Sequence, residues 1–221
     1  MLVPVFNEAA VLRQTLTELL QAEYEVIVVD DGSGDHSGAI ASSLPVYYVR
    51  HAVNMGQGAA LQTGMRLAQQ LGARYLVHFD ADGQHRCADI PALIAPLLAD
   101  TADICLGSRF LSAESRNAVP PLRRWLLRAA ILVNYAFTGL WLSDAHNGFR
   151  ALNARAISAI ELTENDMAHA TEILAEISRR RLRYTEVPVQ VRYTAYSLGK
   201  GQRMAHALRI FTTLLLRKLF L

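Results

Sequence analysis

The chain has little of several features that would settle its class early. It has 2 cysteines in 221 residues. Cys87 and Cys105 fit neither a CxxC metal pair nor a disulfide framework, so both are expected to be free thiols in a reducing, cytoplasmic setting. Net charge is close to balance, 22 basic against 20 acidic residues for a formal +2, which excludes the basic footprint of a dedicated nucleic-acid binder. Lysine is nearly missing, with Lys200 and Lys218 alone among the arginines. The 7 histidines form no HxxxH or HExxH pattern, so a zinc site is not expected. Met1-Leu2-Val3-Pro4 runs straight into a strand pattern without a basic leader, and no signal peptide is expected. Uninterrupted apolar runs of membrane-spanning length are also lacking. Trp125 to Leu142 is broken by Arg128 and Asn134, and Leu208 to Leu221 by Arg209, Arg217 and Lys218. A cation at the centre of an inserted helix costs about 2.5–3.5 kcal/mol, so both segments read as interfacial or core helices.

What is present is a packed core, with 52% hydrophobic residues. Short apolar runs alternate with helical periodicity, the pattern of βαβ units and a mostly parallel sheet. Strands are expected at Leu2–Phe6, Glu25–Asp30, Val46–Arg50, Tyr75–Asp80 and Ile104–Gly107. Helices are expected at Ala9–Gln21, Ser37–Ser43, Gln57–Leu71 and Ile90–Leu98. Beyond the Pro120-Pro121 break follow the apolar helix Trp125–Leu142, a loop Ser143–Gly148, a helix near Thr171–Arg181, a strand Tyr184–Val191 and a C-terminal helix. No linker or internal repeat divides them, so a single domain over residues 1–221 is expected. Its polar residues gather just after the strands, where open α/β sheets bind ligands.

Asp80 and Asp82 stand two apart at a strand end. In extended geometry both carboxylates face one side and share one hard cation, with Gln84 and His85 next in line as further ligands. A bare polar turn is the alternative for an isolated pair. Mg²⁺ or Mn²⁺ there would also hold diphosphate oxygens. Asp30-Asp31-Gly32-Ser33 offers acceptors for a nucleobase N–H or a ribose hydroxyl, or else a turn, with Asp35 capping the next helix. Asn54-Met55-Gly56-Gln57-Gly58 opens a helix. Leu61 replaces the third glycine of a dinucleotide fingerprint, so nicotinamide binding is not expected.

Taken in order and spacing, Val3-Pro4-Val5-Phe6-Asn7-Glu8, Val29-Asp30-Asp31-Gly32-Ser33, Asn54-Met55-Gly56, Asp80-Ala81-Asp82-Gly83-Gln84-His85 and Gly107-Ser108-Arg109 resemble the successive motifs of family 2 glycosyltransferases. Asn147-Gly148-Phe149-Arg150, Glu186-Val187-Pro188-Val189 and Arg192 through Lys200 are similar to the branch of dolichyl- and polyprenyl-phosphate mannose or glucose synthases. The resemblance implies a GT-A-type α/β fold, a nucleotide-sugar-binding half (1–110) and an acceptor-side half (111–221) with interfacial helices. It also implies that Pro4, Phe6, Glu8, Val29 and Asp31 hold the nucleoside of a GDP- or UDP-sugar. Asp80, Ala81 and Asp82 match the metal and diphosphate motif, and Gln84 an additional metal ligand. Arg109 matches a donor-site arginine, and Arg192 and Lys200 the basic pair near the end of the catalytic region. Met1-Leu2 stands where the family has more strand residues, so the first strand is expected to be clipped.

The expected chemistry is inverting transfer of a sugar to an acceptor, a polyprenyl phosphate above all. The cation and the arginines stabilise the leaving diphosphate. A phosphate acceptor needs no base, whereas a hydroxyl acceptor needs a carboxylate. Glu172 is the candidate base and Asp144 the second, against readings as a helix N-terminal acid and a loop cap. His85 is a candidate site neighbour. His146 is expected in a loop near the acceptor side, and the other histidines as surface or satisfied core groups. Arg123, Arg124, Trp125 and Arg128 crowd one end of the apolar helix and suit a membrane surface, either peripherally or beside a partner protein that supplies the anchor. The rival readings are transfer to a saccharide hydroxyl, a sugar-1-phosphate nucleotidyltransferase and a catalytically silent binding module.

Overall fold

The computed structural model describes residues 1–111, 131, 135, 138–144, 147–166 and 168–192. Its strands are β1 (Leu2–Val5), β2 (Ile27–Asp30), β3 (Tyr47–Arg50), β4 (Tyr75–His78), β5 (Ile104–Ser108), β6 (Arg150–Asn153) and β7 (Tyr184–Pro188). Its helices are α1 (Ala9–Gln21), α2 (Ser37–Ser42), α3 (Gln57–Gln70), α4 (Ile90–Leu98), α5 (Ala154–Ala159) and α6 (His169–Arg179). The strands form one sheet in the order β3-β2-β1-β4-β6-β5-β7.

The central strands are apolar on both faces because both faces are covered, as parallel sheets require. Leu2, Ile27, Val29 and Leu76 point into one core, shared with Leu61, Met65 and Ala68 of α3 and Ile173, Leu174 and Ile177 of α6. Val3, Val5, Val28 and Val77 point into the other, shared with Leu12, Leu16 and Leu19 of α1 and Ile90, Leu93 and Leu97 of α4. Spacings of three and four residues in the helices and two in the strands produce this division.

The first half follows the sequence expectation closely, with strand ends shifted by one or two residues. Two differences matter for the site. β4 ends at His78, and Ala81 to Gly83 form a turn in which Gly83 has φ +74°. Asp80 and Asp82 therefore do not share a face through strand alternation, because the chain has left the extended conformation before it reaches them. The second difference is β6, which the sequence reading did not include. It runs antiparallel between β4 and β5. Arg-Ala-Leu-Asn has no β-branched or aromatic residue, so pairing on both sides, not local preference, makes it a strand. α5 follows at once, started by Asn153, whose Oδ1 accepts the Ala156 N–H at 2.9 Å.

The helix expected over Trp125–Leu142 is represented by Ile131, Tyr135 and Thr138, which are helical, while 139–142 are not. Gly139 N–H donates back to the Tyr135 carbonyl at 2.8 Å, closing the last turn. Trp141 is 63% exposed and meets Tyr135 edge-on. Arg123, Arg124, Trp125, Arg128, His146, Lys200 and the C-terminal helix lie outside the described residues. Among the described residues no helix is long and apolar enough to cross a membrane.

Candidate active site at the carboxyl ends of the strands

The loops after β1 and β2 are tied together. Asn7 takes φ +55°, a conformation that asparagine tolerates better than most residues. Its N–H donates to Ser33 Oγ and its Oδ1 accepts the Gly34 N–H. Glu8 N–H donates to Ser37 Oγ, and Asp35 bridges the starts of α1 and α2 by accepting from Ala9 and Ser37. Pro4 lies opposite Val29 in this floor, and Phe6 is exposed above it.

Asp30, the last residue of β2, and Asp31 after it hold two different loops. Asp30 closes the turn, accepting from Ser33 N–H at 2.8 Å and the Tyr48 hydroxyl at 2.9 Å. Asp31 holds the third loop, accepting from Met55 N–H at 2.9 Å and Gly56 N–H at 2.7 Å. His51 Nδ1 lies 2.7 Å from Asp31 Oδ1, and His51 Nε2 lies 2.9 Å from Thr63 Oγ1. A ligand would meet Asp31 as a buried carboxylate already oriented by three donors. Gly56 is needed there: its φ is +103°, and a Cβ would sit 2.2 Å from the Asn165 carbonyl oxygen.

Asp80 follows β4 at the carboxyl ends of the strands, where open α/β sheets leave a cleft, and its side chain is 30% exposed. Its Oδ1 accepts from Gln57 Nε2 at 3.1 Å, and its Oδ2 lies 3.0 Å from His85 Nε2. The His85 ring stacks on Phe149 at a centroid distance of 4.5 Å and meets Phe79 edge-on, which fixes its aim. Gly148 lets the chain pass close by, since a Cβ there would be 2.7 Å from Asp80 Oδ2. Asp82 accepts from both Gln84 N–H and Gln84 Nε2. Burial, then the Asp80 charge, pushes the Asp82 carboxyl above its ordinary pKa. Burial pushes Asp80 the same way, but its bond to His85 and the charges of His85 and Arg150 outweigh it and leave its pKa lowered.

Two carboxylates whose charges oppose each other across a tight turn fit a hard divalent cation. No group of three or more His, Cys, Asp or Glu able to hold a metal occurs among the described residues. Two carboxylates are a set that Mg²⁺ or Mn²⁺ could use if oxygens from elsewhere, such as phosphate oxygens, completed the coordination. Arg192 is brought to the same loop, its N–H donating to the Gln84 carbonyl at 2.9 Å.

Just past β5, Arg109 is buried and forks onto Asp144, with Nε–Oδ2 at 2.6 Å and Nη2–Oδ1 at 2.8 Å. Glu186 of β7 clamps the same loop through Ser143 N–H, Ser143 Oγ and Asp144 N–H. Asp144 is thus the partner of Arg109. Glu172 accepts from Thr163 N–H, Thr163 Oγ1 and Glu164 N–H, and so braces the loop before α6. That loop packs on the start of α3, where Gly58 N–H donates to Asn165.

The chain has relatives among known proteins. Residues 1–160 match the family model described as Glycosyl transferase family 2. The chain belongs to that family. It is 31% identical over 198 residues to the undecaprenyl-phosphate mannosyltransferase of Micrococcus luteus, covering 85% of this chain and 81% of that protein. It is 28% identical over 239 residues to the UDP-N-acetylglucosamine–dolichyl-phosphate N-acetylglucosaminyltransferase of Methanococcus voltae, covering 99% and 95%. Among solved structures, glucosyl-3-phosphoglycerate synthase from Mycobacterium tuberculosis, in complex with Mg²⁺ and UDP, superposes with a TM-score of 0.69 at 19% identity, covering 98% of this chain and 77% of that one. The family 2 chain is a glycosyltransferase with the GT-A α/β fold.

Several residues of this family 2 site were not singled out from sequence. Gln57 lies in the Asn54–Gly58 segment, which reads as a helix start. His51 and His78 sit on a strand or just after one, where neighbouring apolar residues hide a buried polar side chain. Arg150 and Glu186 lie inside motifs of the resemblance that assign them no role of their own.

Proposed function

We propose that the chain transfers a sugar from a nucleoside diphosphate sugar to a polyprenyl phosphate at the cytoplasmic surface of a membrane, inverting the anomeric centre. The observation that carries this reading is the pairing of Asp80 and Asp82 on a turn at the carboxyl ends of the strands, with Gln84 and Arg192 bound to the same turn. Pro4, Phe6, Glu8, Val29 and Asp31 form the nucleoside side, and Asp80, Ala81 and Asp82 the diphosphate side. Asp80, Asp82 and Gln84 would hold Mg²⁺ or Mn²⁺. That ion, when bound, supplies neutralisation of the charge developing on the leaving diphosphate.

Arg109, oriented by Asp144, would supply positive charge around the reacting phosphates, and the resemblance gives the same role to Lys200 and to Arg192, whose guanidinium lies 3.7 Å from Glu18. The acceptor phosphate oxygen attacks the anomeric carbon as the bond from that carbon to the diphosphate oxygen breaks. No proton has to be removed, because the acceptor arrives ionised. Glu172 is then unnecessary as a base, in keeping with its contacts to Thr163 and Glu164. The Methanococcus voltae relative makes UDP-N-acetylglucosamine the first donor to try, with GDP-mannose beside it. The exposed Trp141 and Tyr135 suit contact with the lipid surface.

The test is transfer from radiolabelled sugar nucleotides with Mn²⁺ to a polyprenyl phosphate or to a saccharide alcohol. Label should pass into the organic phase only with the lipid phosphate, and EDTA should abolish it. Label passing to the saccharide alcohol would overturn the acceptor reading.

A further inference from the structure

Beneath Asp80 lies a buried basic cluster that the chemistry above does not use. His78 of β4 and Arg150 of β6 are register partners across the sheet. Both point to the face covered by α3 and α6, since Leu76 and Leu152, two residues along each strand, pack into that core. Each is 2% exposed. Neither His78 nitrogen has a hydrogen-bond partner among the described residues, nor has Arg150 Nη1. Arg150 Nε donates to the Asn147 carbonyl at 3.2 Å. His169 opens α6 nearby, its Nδ1 2.8 Å from the Asp166 carbonyl.

Burial lowers Arg150 to about 10, against the opposing pull of Asp80 and Asp144, and it remains a cation. Its guanidinium thus brings a fixed positive charge and a buried nitrogen without a partner among the described residues, an expensive thing to bury. The acids whose charge it feels are Asp80, in the cleft, and Asp144, which orients Arg109.

We infer that Arg150 is a positioning residue for the donor: a buried cation beneath Asp80 that opposes a divalent ion arriving alone and favours one arriving with its diphosphate. A bare cation meets Arg150 as a like charge. With a sugar nucleotide the two negative charges of the diphosphate cancel those of the ion, and with UDP or GDP, whose diphosphate carries about three, the complex is net negative, so the like-charge penalty felt through the low-dielectric interior falls on the free ion alone. The inference rests on the reading of Asp80 and Asp82 as the metal carboxylates, and it makes the site selective for the complex over the free ion.

The experiment measures two affinities by calorimetry: Mn²⁺ alone, and UDP (with GDP beside it) in saturating Mn²⁺. Arg150→Met removes the charge. Arg150→Gln does the same while keeping an N–H for Asn147, which guards against a folding defect. Arg150→Lys restores the charge without the guanidinium. The neutral variants should bind Mn²⁺ alone roughly tenfold tighter and the nucleotide roughly tenfold weaker, while Arg150→Lys tracks the wild type. A merely structural role would weaken both affinities together, and that result overturns the inference. So does a lysine variant that behaves like the neutral ones. Wild-type protein that binds no Mn²⁺ with or without nucleotide overturns the metal-site reading as well, whereas normal wild-type binding unaffected by Arg150 overturns this inference alone.

Discussion

The two ends of the sheet handle buried charge in opposite ways. At the end away from the cleft, Asp103 precedes β5 and is 1% exposed. It accepts from Asn153 Nδ2, from Arg183 N–H, Nε and Nη2, and from Arg155 Nη1. At the cleft end, Asp80 has two side-chain partners, and the groups around it include a buried His85 Nδ1, Asn147 Nδ2, Arg150 Nη1 and both nitrogens of His78 without partners among the described residues. Proteins satisfy nearly all buried polar groups, so a concentration of unsatisfied ones marks where the chain has kept bonding capacity for something else. The Asp103 cluster is a fastener, and the Asp80 cluster, on the function proposed above, is a receptor.

The largest effect expected from breaking this contrast is on activity. Asp82→Asn should lower sugar transfer on the order of 100- to 1000-fold, with the melting temperature little changed, because its work is on charge that develops during the reaction. Transfer assays and thermal melts on the same preparation check both halves. Asp103→Asn should do the reverse. It weakens charge-assisted bonds from part-buried donors and should cost about 2 kcal/mol of stability, read by urea denaturation, with activity per folded molecule unchanged.

Acid should loosen the fastener. Bonds from Arg183 hold Asp103 down to about 2, below its ordinary value of 3.8. A depressed carboxylate contributes stability that is complete above the unfolded pKa and is lost as pH falls from about 4 through about 2. Wild-type protein should lose stability over that window, and Asp103→Asn should show a shallower loss in acid denaturation curves. The smallest effect is expected at Glu172. Glu172→Gln should cost about 1 kcal/mol by weakening the brace at Thr163 and Glu164, with transfer to a lipid phosphate changed less than about threefold. A base would contribute roughly 100-fold or more, so a loss of that size would return Glu172 to the reacting centre.

Much of the receptor end was legible in sequence because its residues sit where strands stop. Asp31, Asp80, Asp82 and Gln84 are polar residues at the ends of apolar runs, and such interruptions are easy to see. The fastener was not legible. Asp103, Asn153 and Arg183 are 50 and 80 residues apart in pairs and resemble any loop polar residue until the sheet joins them. β6 escaped for a related reason, since its strand character comes from β4 and β5 and not from its own four residues. Arg109 and Asp144 were each picked out, but for separate roles. The fork between them depends on a loop fold that Glu186 imposes from the far strand.

The antiparallel insertion of β6 also sets a timetable. β5 has no sheet neighbour among the described strands except β6 and β7, and β4 is bordered by β1 and β6. During synthesis from the amino end, the first four strands can pair as they emerge, while β5 must wait until some forty further residues have been made. Gly148 and Arg150, which complete the surroundings of Asp80, arrive with that same late strand. A growing chain thus acquires the surroundings of Asp31 early and completes those of Asp80 late.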